Sequence, residues 1–283
     1  MDLVTAAPPR SRLRLRPRLW VLWVAVLGVM VVWALTGSLL APADPTAQLP
    51  AARLLPPLAS GPDGLHLLGT DALGRDLFSQ IVAGARLTLL IGVSATLIGL
   101  VIGTVVGICA GYFGGWTERV TMRLTEAQTA MPMFLFAILL MAVAGPSVTN
   151  LIVLLPTFIW PTVARVIRAE TLRLRSEPFV VGAVALGANS RQVVVDHLLP
   201  NLAPRLAVLF VIDVGQIVLA EAGLSFLGAG VQDPDITWGV LIADGRPYLA
   251  VAWWLTVMPG LFLALAVLSV NMLSREMERR SHT

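Results

Sequence analysis

Six apolar runs, each near the length that crosses a lipid bilayer, constrain this chain more than any other feature. A spanning helix needs about 20 largely apolar residues. Residues 19–40 and 87–110 are uncharged throughout, and 123–144 carries Glu126 near its start. The run 148–164 is short and holds Pro156 and Pro161; 202–219 is interrupted by Asp213; 250–273 completes the set. A soluble domain carries about 25% charged residues. This chain of 283 residues carries 13%, with a mean hydropathy of +0.81. The fold class these runs predict is an all-α membrane protein with six transmembrane helices. The basic tail before the first run could also belong to a signal peptide, ending at Ala41-Pro42-Ala43. A signal core is only about 7–15 residues, so a retained first helix is expected.

The expected organisation is a cytoplasmic Arg-rich tail at 1–18, a first helix at 19–40 and an extracytoplasmic segment at 41–86. A five-helix core at 87–273 follows, with a cytoplasmic loop at 165–200 and an extracytoplasmic loop at 220–249. A cytoplasmic tail, 274–283, ends the chain. Cytoplasmic segments carry an excess of basic residues. With the N-terminus inside, the inner segments hold 16 Arg and the outer ones four: Arg53, Arg75, Arg86 and Arg246. Both termini are therefore expected in the cytoplasm. The same asymmetry accounts for the pI of 9.9 without nucleic acid.

All 20 basic residues are Arg. With no Lys, the chain has no Walker A phosphate loop, Lys Schiff base or Ser–Lys pair. The single Cys109 and three scattered His give no metal-ligand set. No catalytic residue, cofactor or metal is expected on this chain.

Small residues recur at every fourth position in the second run: Ala95, Gly99, Gly103, Gly107 and Gly111. This spacing puts them on one helical face, where another helix can approach closely. That helix could belong to this chain or to a partner subunit. Asp213 is an ionisable group near the middle of a span, so it should face protein or water. It reads either as a hydrogen-bonded structural group or as a group lining a translocation path. Glu221, eight residues on, does not share one narrow face with it.

In the inner loop, Pro178 suits a first helical turn and Gly187 the left-handed position that ends a helix. They bracket a short apolar helix, Phe179 to Leu186. Asn189 or Ser190 would cap a following helix that stops at Leu199 before Pro200. An apolar helix in a water-facing loop implies a partner groove.

This loop resembles the EAA loop of the membrane subunits of ATP-driven importers. The pattern of Glu-Ala-Ala, Gly and Leu-Pro falls on Val181-Gly182-Ala183, Gly187 and Leu199-Pro200. Val and Gly replace the first two residues of the triplet. Leu68-Gly69-Thr70-Asp71 with Gly74-Arg75-Asp76, then Gly84-Ala85-Arg86, resemble the dipeptide and oligopeptide permeases of the C type. So do Ala110 to Trp116, Met122-Arg123-Leu124, Leu224 to Gly228, and Trp238-Gly239, in the same order.

The resemblance implies the type I importer permease fold and a homologous second permease. It also implies two cytoplasmic ATP-binding subunits carrying ATP and Mg, an extracytoplasmic binding protein and a peptide substrate, all within membrane lipid. Phe179, Val180, Ala183, Leu186, Gly187 and Ala188 would couple to the ATPases. Related importers for nickel, glutathione or another small solute are similar in these segments. An ion-driven transporter would be expected to carry several intramembrane charges, and a membrane enzyme a nucleophile–base set or metal cluster at one depth.

Overall fold

The computed structural model describes residues 19–37 and 41–281. The chain is mainly helical: α1 Leu19–Thr36, α2 Leu77–Phe113, α3 Gly115–Thr129, α4 Met133–Ala144, α5 Val148–Leu154, α6 Pro156–Arg175, α7 Pro178–Ala185, α8 Ser190–Gln192, α9 Leu199–Phe226, α10 Trp238–Gly245 and α11 Trp254–Ser281. An antiparallel hairpin, β1 Ala59–Gly61 with β2 Gly64–His66, is a small exception to the all-α expectation.

Among the described residues, four helical segments are long and apolar enough to cross a membrane: 77–113, 148–175, 190–226 and 254–279. A fifth requires α3 and α4 to count as one broken span, and α1 is a shorter apolar helix. Six straight spans are not what forms. The expected third run, 123–144, bends by 84° between α3 and α4. Pro132 lacks the N–H that would continue α3, and its ring disfavours helical backbone at Met131.

Several boundaries move outward. The second span was expected from residue 87, yet α2 begins at Leu77, where Asp76 caps it by accepting from the Ser79 N–H. The fourth run extends through Arg175, so residues 165–175 belong to α6, and the inner loop shrinks to the α7 region. The fifth helix runs on to Phe226, and the sixth, although it begins later, at Trp254, reaches Ser281. The expected stop at Leu199 is also absent. The segment Val193–Leu198 is π-helical, and the Leu199 N–H donates to the Val194 carbonyl, five residues back. The wider turn absorbs the missing N–H of Pro200, and one helix continues into α9.

The Gly stripe of α2 packs against α6 of the same chain, and the two helices run parallel. Gly99, Gly103, Gly107 and Gly111 lie over the carbonyls of Pro156, Trp160, Ala164 and Arg168 in turn. A methyl group at Gly103 would stand 2.6 Å from the Val163 Cβ, and one at Gly107 2.7 Å from the Ala164 carbonyl. The equal spacing by four on both helices lets their backbones approach over three turns. On another side of α2, α9 packs at Gly92 against Val214 and Val218. Helix α1 joins the core through buried Met30 and through Trp33, whose ring meets Phe78 and Phe262.

Candidate coupling helix and its surroundings

The short helix α7 projects most of its apolar side chains outward. α7 covers Pro178–Ala185, one residue earlier than expected, with Pro178 at its first turn. It ends in a double turn: the Gly187 N–H donates to Val184 O and the Ala188 N–H to Ala183 O, both at 3.0 Å. This Schellman arrangement needs a left-handed residue after the helix, and Gly187 supplies it at φ +92°. Leu186 is 91% exposed, and Phe179, Val181 and Val184 are 43–55% exposed. Val181, read in the sequence only as the first residue of the triplet, and Val184, not singled out there, thus share the exposure of Phe179 and Leu186.

Val180 requires a correction. Expected among the coupling residues, it is 1% exposed and packs with Leu174, Val193 and Leu198. Ala188 also leans on that cluster. Both anchor the loop to the body; Ala183 is half-buried between the two roles. An apolar-sided cavity of about 420 Å³ lies beside α7, lined by Tyr112, Phe113, Arg175, Val180, Val181 and Val184. The Arg175 guanidinium sits over the Tyr112 ring at 5.8 Å. The Arg168–Glu118 ion pair ties α6 to α3 on the same side.

Asp213 lies in α9 at 6% exposure, and its Oδ2 has no hydrogen-bond partner. It shares a helix face with Ile217, Ala220 and Leu224, which pack into the core. Glu221, on the same helix, is fully buried and accepts hydrogen bonds from Ser225 Oγ and Thr237 Oγ1, both at 2.8 Å.

The clamp next to it was invisible in composition. Thr237 caps α10 by accepting from the Val240 N–H. The Trp238 backbone N–H donates to Thr88 Oγ1 at 3.0 Å, and its indole Nε1–H donates to the Ile81 carbonyl at 2.9 Å. One fully buried ring therefore pins α10 to α2. Losing a buried aromatic side chain costs about 3–5 kcal/mol. Trp238→Ala should lower the thermal midpoint of the purified protein strongly, and Trp238→Phe, which loses only the indole donor, much less. Equal midpoints for the two variants would contradict this account of the clamp.

At the end of the molecule opposite α7, the Leu68–Asp76 segment folds as a cap on α2. The Asp71 carboxylate accepts from the Leu73 and Arg75 N–H groups at 2.8 Å, from Arg75 Nε at 2.6 Å and from Gln80 Nε2 at 2.9 Å. His66 stands between Asp63 and Asp76, 3.0 Å from each. Arg75 reaches Asp233 at 3.8 Å, linking the cap to the loop before α10. Asp244 lines the same cleft. Burial, followed by the nearby Asp233 charge, raises its pKa from the ordinary aspartate value, and Arg75 partly opposes this. A raised acid pKa means that ionisation costs folding stability, and the cost grows as pH rises through the folded-state value. Asp244→Asn should therefore be more stable than wild type at pH 7 and indistinguishable from it in acid below the normal carboxylate range. A variant less stable at pH 7 would contradict this.

A family model described as "binding-protein-dependent transport system inner membrane component" matches residues 99–282. The chain belongs to this family. It is the inner-membrane permease component of an ATP-binding-cassette importer, a transport subunit rather than an enzyme. Its relatives include the glutathione transport system permease protein GsiD of Escherichia coli O157:H7, 38% identical over 216 residues, which are 76% of this chain and 71% of that one. The oligopeptide transport system permease protein OppC of Haemophilus influenzae is 36% identical over 209 residues, 74% of this chain and 67% of that one. A solved structure of the MetNI methionine ABC transporter in an inward-facing conformation superimposes with a TM-score of 0.57. It is 21% identical, covers 71% of this chain and 95% of that one, and supports the fold alone.

Proposed function

We propose that this chain forms half of a translocation pathway for di- and oligopeptides, with a homologous second permease supplying the other half. Two cytoplasmic ATP-binding subunits, carrying ATP and Mg, dock on α7, and an extracytoplasmic binding protein delivers substrate to the Asp71–Asp233 end. The observation that carries the coupling reading is the outward-facing apolar surface of α7, with Leu186 91% exposed beyond a well-anchored Val180. ATP-driven closure of the ATPase pair moves α7, and the anchor at Val180 and Ala188 passes that motion to α6 and α9. Asp213 is proposed as a polar group of the path, and the support is its buried carboxylate oxygen without a hydrogen-bond partner. Asp213→Asn then lowers uptake with assembly intact, whereas a loss of assembled complex assigns Asp213 to structure.

The peptide reading rests on the similarity to OppC. Glutathione, itself a tripeptide, is the second reading, and the similarity to GsiD favours it. Reconstitution of the tagged chain with its co-purifying subunits and binding protein into proteoliposomes tests both. ATP-dependent accumulation of labelled dipeptide supports the first, glutathione alone the second, and nickel alone neither.

The proposed topology has six crossings, with α1 as the first, the bent α3–α4 pair as the third and both termini cytoplasmic. Its support is the Arg distribution of 16 against four. Thr283→Cys in a Cys109→Ala background should resist a membrane-impermeant thiol reagent in intact cells and react after lysis. Labelling in intact cells would invert the topology.

A further inference from the structure

The Gly84-Ala85-Arg86 motif divides into two parts. Gly84 and Ala85 face inward: a methyl group at Gly84 would touch Ile236 and Trp238 at 3.4 Å, and Ala85 is fully buried. Arg86 is exposed, and among the described residues it has no hydrogen bond, ion pair or ring contact. It lies at the edge of a groove of about 520 Å³ formed by α1, α2, α9 and α11. Of the lining side chains only Arg86 and Ser94 are polar; Val31, Val93, Phe210 and Val267 are typical of the rest.

Depth gives this cation a meaning. Helix α2 has 37 residues, about 55 Å at 1.5 Å per residue, against a hydrocarbon core of about 30 Å. Centred in the bilayer, it leaves about 12 Å outside at each end. Arg86 stands about 14 Å from the start of the helix, at the boundary between headgroups and acyl chains. From there the groove runs along α2 past Ser94, about 12 Å further into the apolar layer.

We propose that this groove holds one anionic phospholipid, its phosphate on the Arg86 guanidinium and an acyl chain between α1, α2, α9 and α11. The charge of Arg86 selects the headgroup, since guanidinium pairs strongly with phosphate. The apolar walls accept the chain, and a lipid in this position bridges α1 to the rest of the permease.

The test uses the full complex purified in detergent and titrated with phosphatidylglycerol or phosphatidylcholine of identical acyl chains, with binding read by native mass spectrometry. The wild type should retain phosphatidylglycerol severalfold better than phosphatidylcholine. Arg86→Gln should weaken phosphatidylglycerol binding about tenfold, the loss of one charge-assisted contact. Val93→Trp, which fills the groove from a partly exposed position, should weaken both lipids. A photoreactive residue at Leu90 should capture lipid. Equal retention of the two lipids by the wild type, unchanged binding by Arg86→Gln, or capture of a second permease subunit at Leu90 would each overturn the proposal. The first and last need no Arg86 variant, so a failure of Arg86→Gln to fold leaves the test intact.

Discussion

Leu186→Asp should abolish uptake and release the proposed ATP-binding subunits while the permease remains folded in the membrane. Leu186 is the most exposed apolar side chain near the end of α7, at 91%, so an acid there costs the isolated chain little. On docking, the carboxylate has to be desolvated, and burying an unpaired ion costs several kcal/mol. Val180→Asp should fail differently. Its site is closed by Leu174, Val193 and Leu198, so the charge destabilises the loop itself and lowers the yield of permease. Gly187→Val sits between these cases: open space surrounds the residue, but its φ of +92° strains a β-branched side chain by about 1–2 kcal/mol. Co-purification of the ATPases, beside permease yield and uptake, separates the three. Normal uptake by Leu186→Asp and Gly187→Val together would remove α7 from the coupling path.

Gly107→Leu should eliminate the folded permease. A bare methyl there already meets the Ala164 carbonyl at 2.7 Å and the Ile167 Cβ at 2.8 Å. Both neighbours are fixed, one as helix backbone and one as a fully buried side chain. Overpacking costs about 1–3 kcal/mol per site, and separating α2 from α6 also opens the contacts at Gly103 and Gly111. Gly107→Ala should fold with a lower thermal midpoint. Gly182→Ala, with open space around it, is the control and should match wild type. A stable Gly107→Leu permease would show that the stripe is not a packing face.

What was legible in the sequence followed local rules. Gly187 after an apolar octet reads as a left-handed helix stop because few other residues tolerate that backbone. The stripe at 99, 103, 107 and 111 reads as a close-packing face, although its partner, α6, required the fold. Proline misled in both directions. At Pro132 the chain breaks by 84°, where a single span over 123–144 was expected. At Pro200 it continues, because the π-turn from Val193 supplies an alternative hydrogen-bond register. Hydropathy could not separate Val180 from Val181, since both are apolar and only tertiary packing buries one of them. Trp238 was visible only as part of a family motif, and its clamp, like that of Thr237, was hidden because the partners, Ile81, Thr88 and Glu221, are distant along the chain.

Docking of an ATPase on α7 puts Leu186 within reach of a nucleotide-binding chain in the assembled transporter. A photoreactive amino acid at Leu186, irradiated in membranes containing the whole transporter, should crosslink to a subunit that binds labelled ATP. The same probe at Val180 should give no intermolecular product. Crosslinking of Leu186 only to lipid, or to no nucleotide-binding chain, would contradict the account.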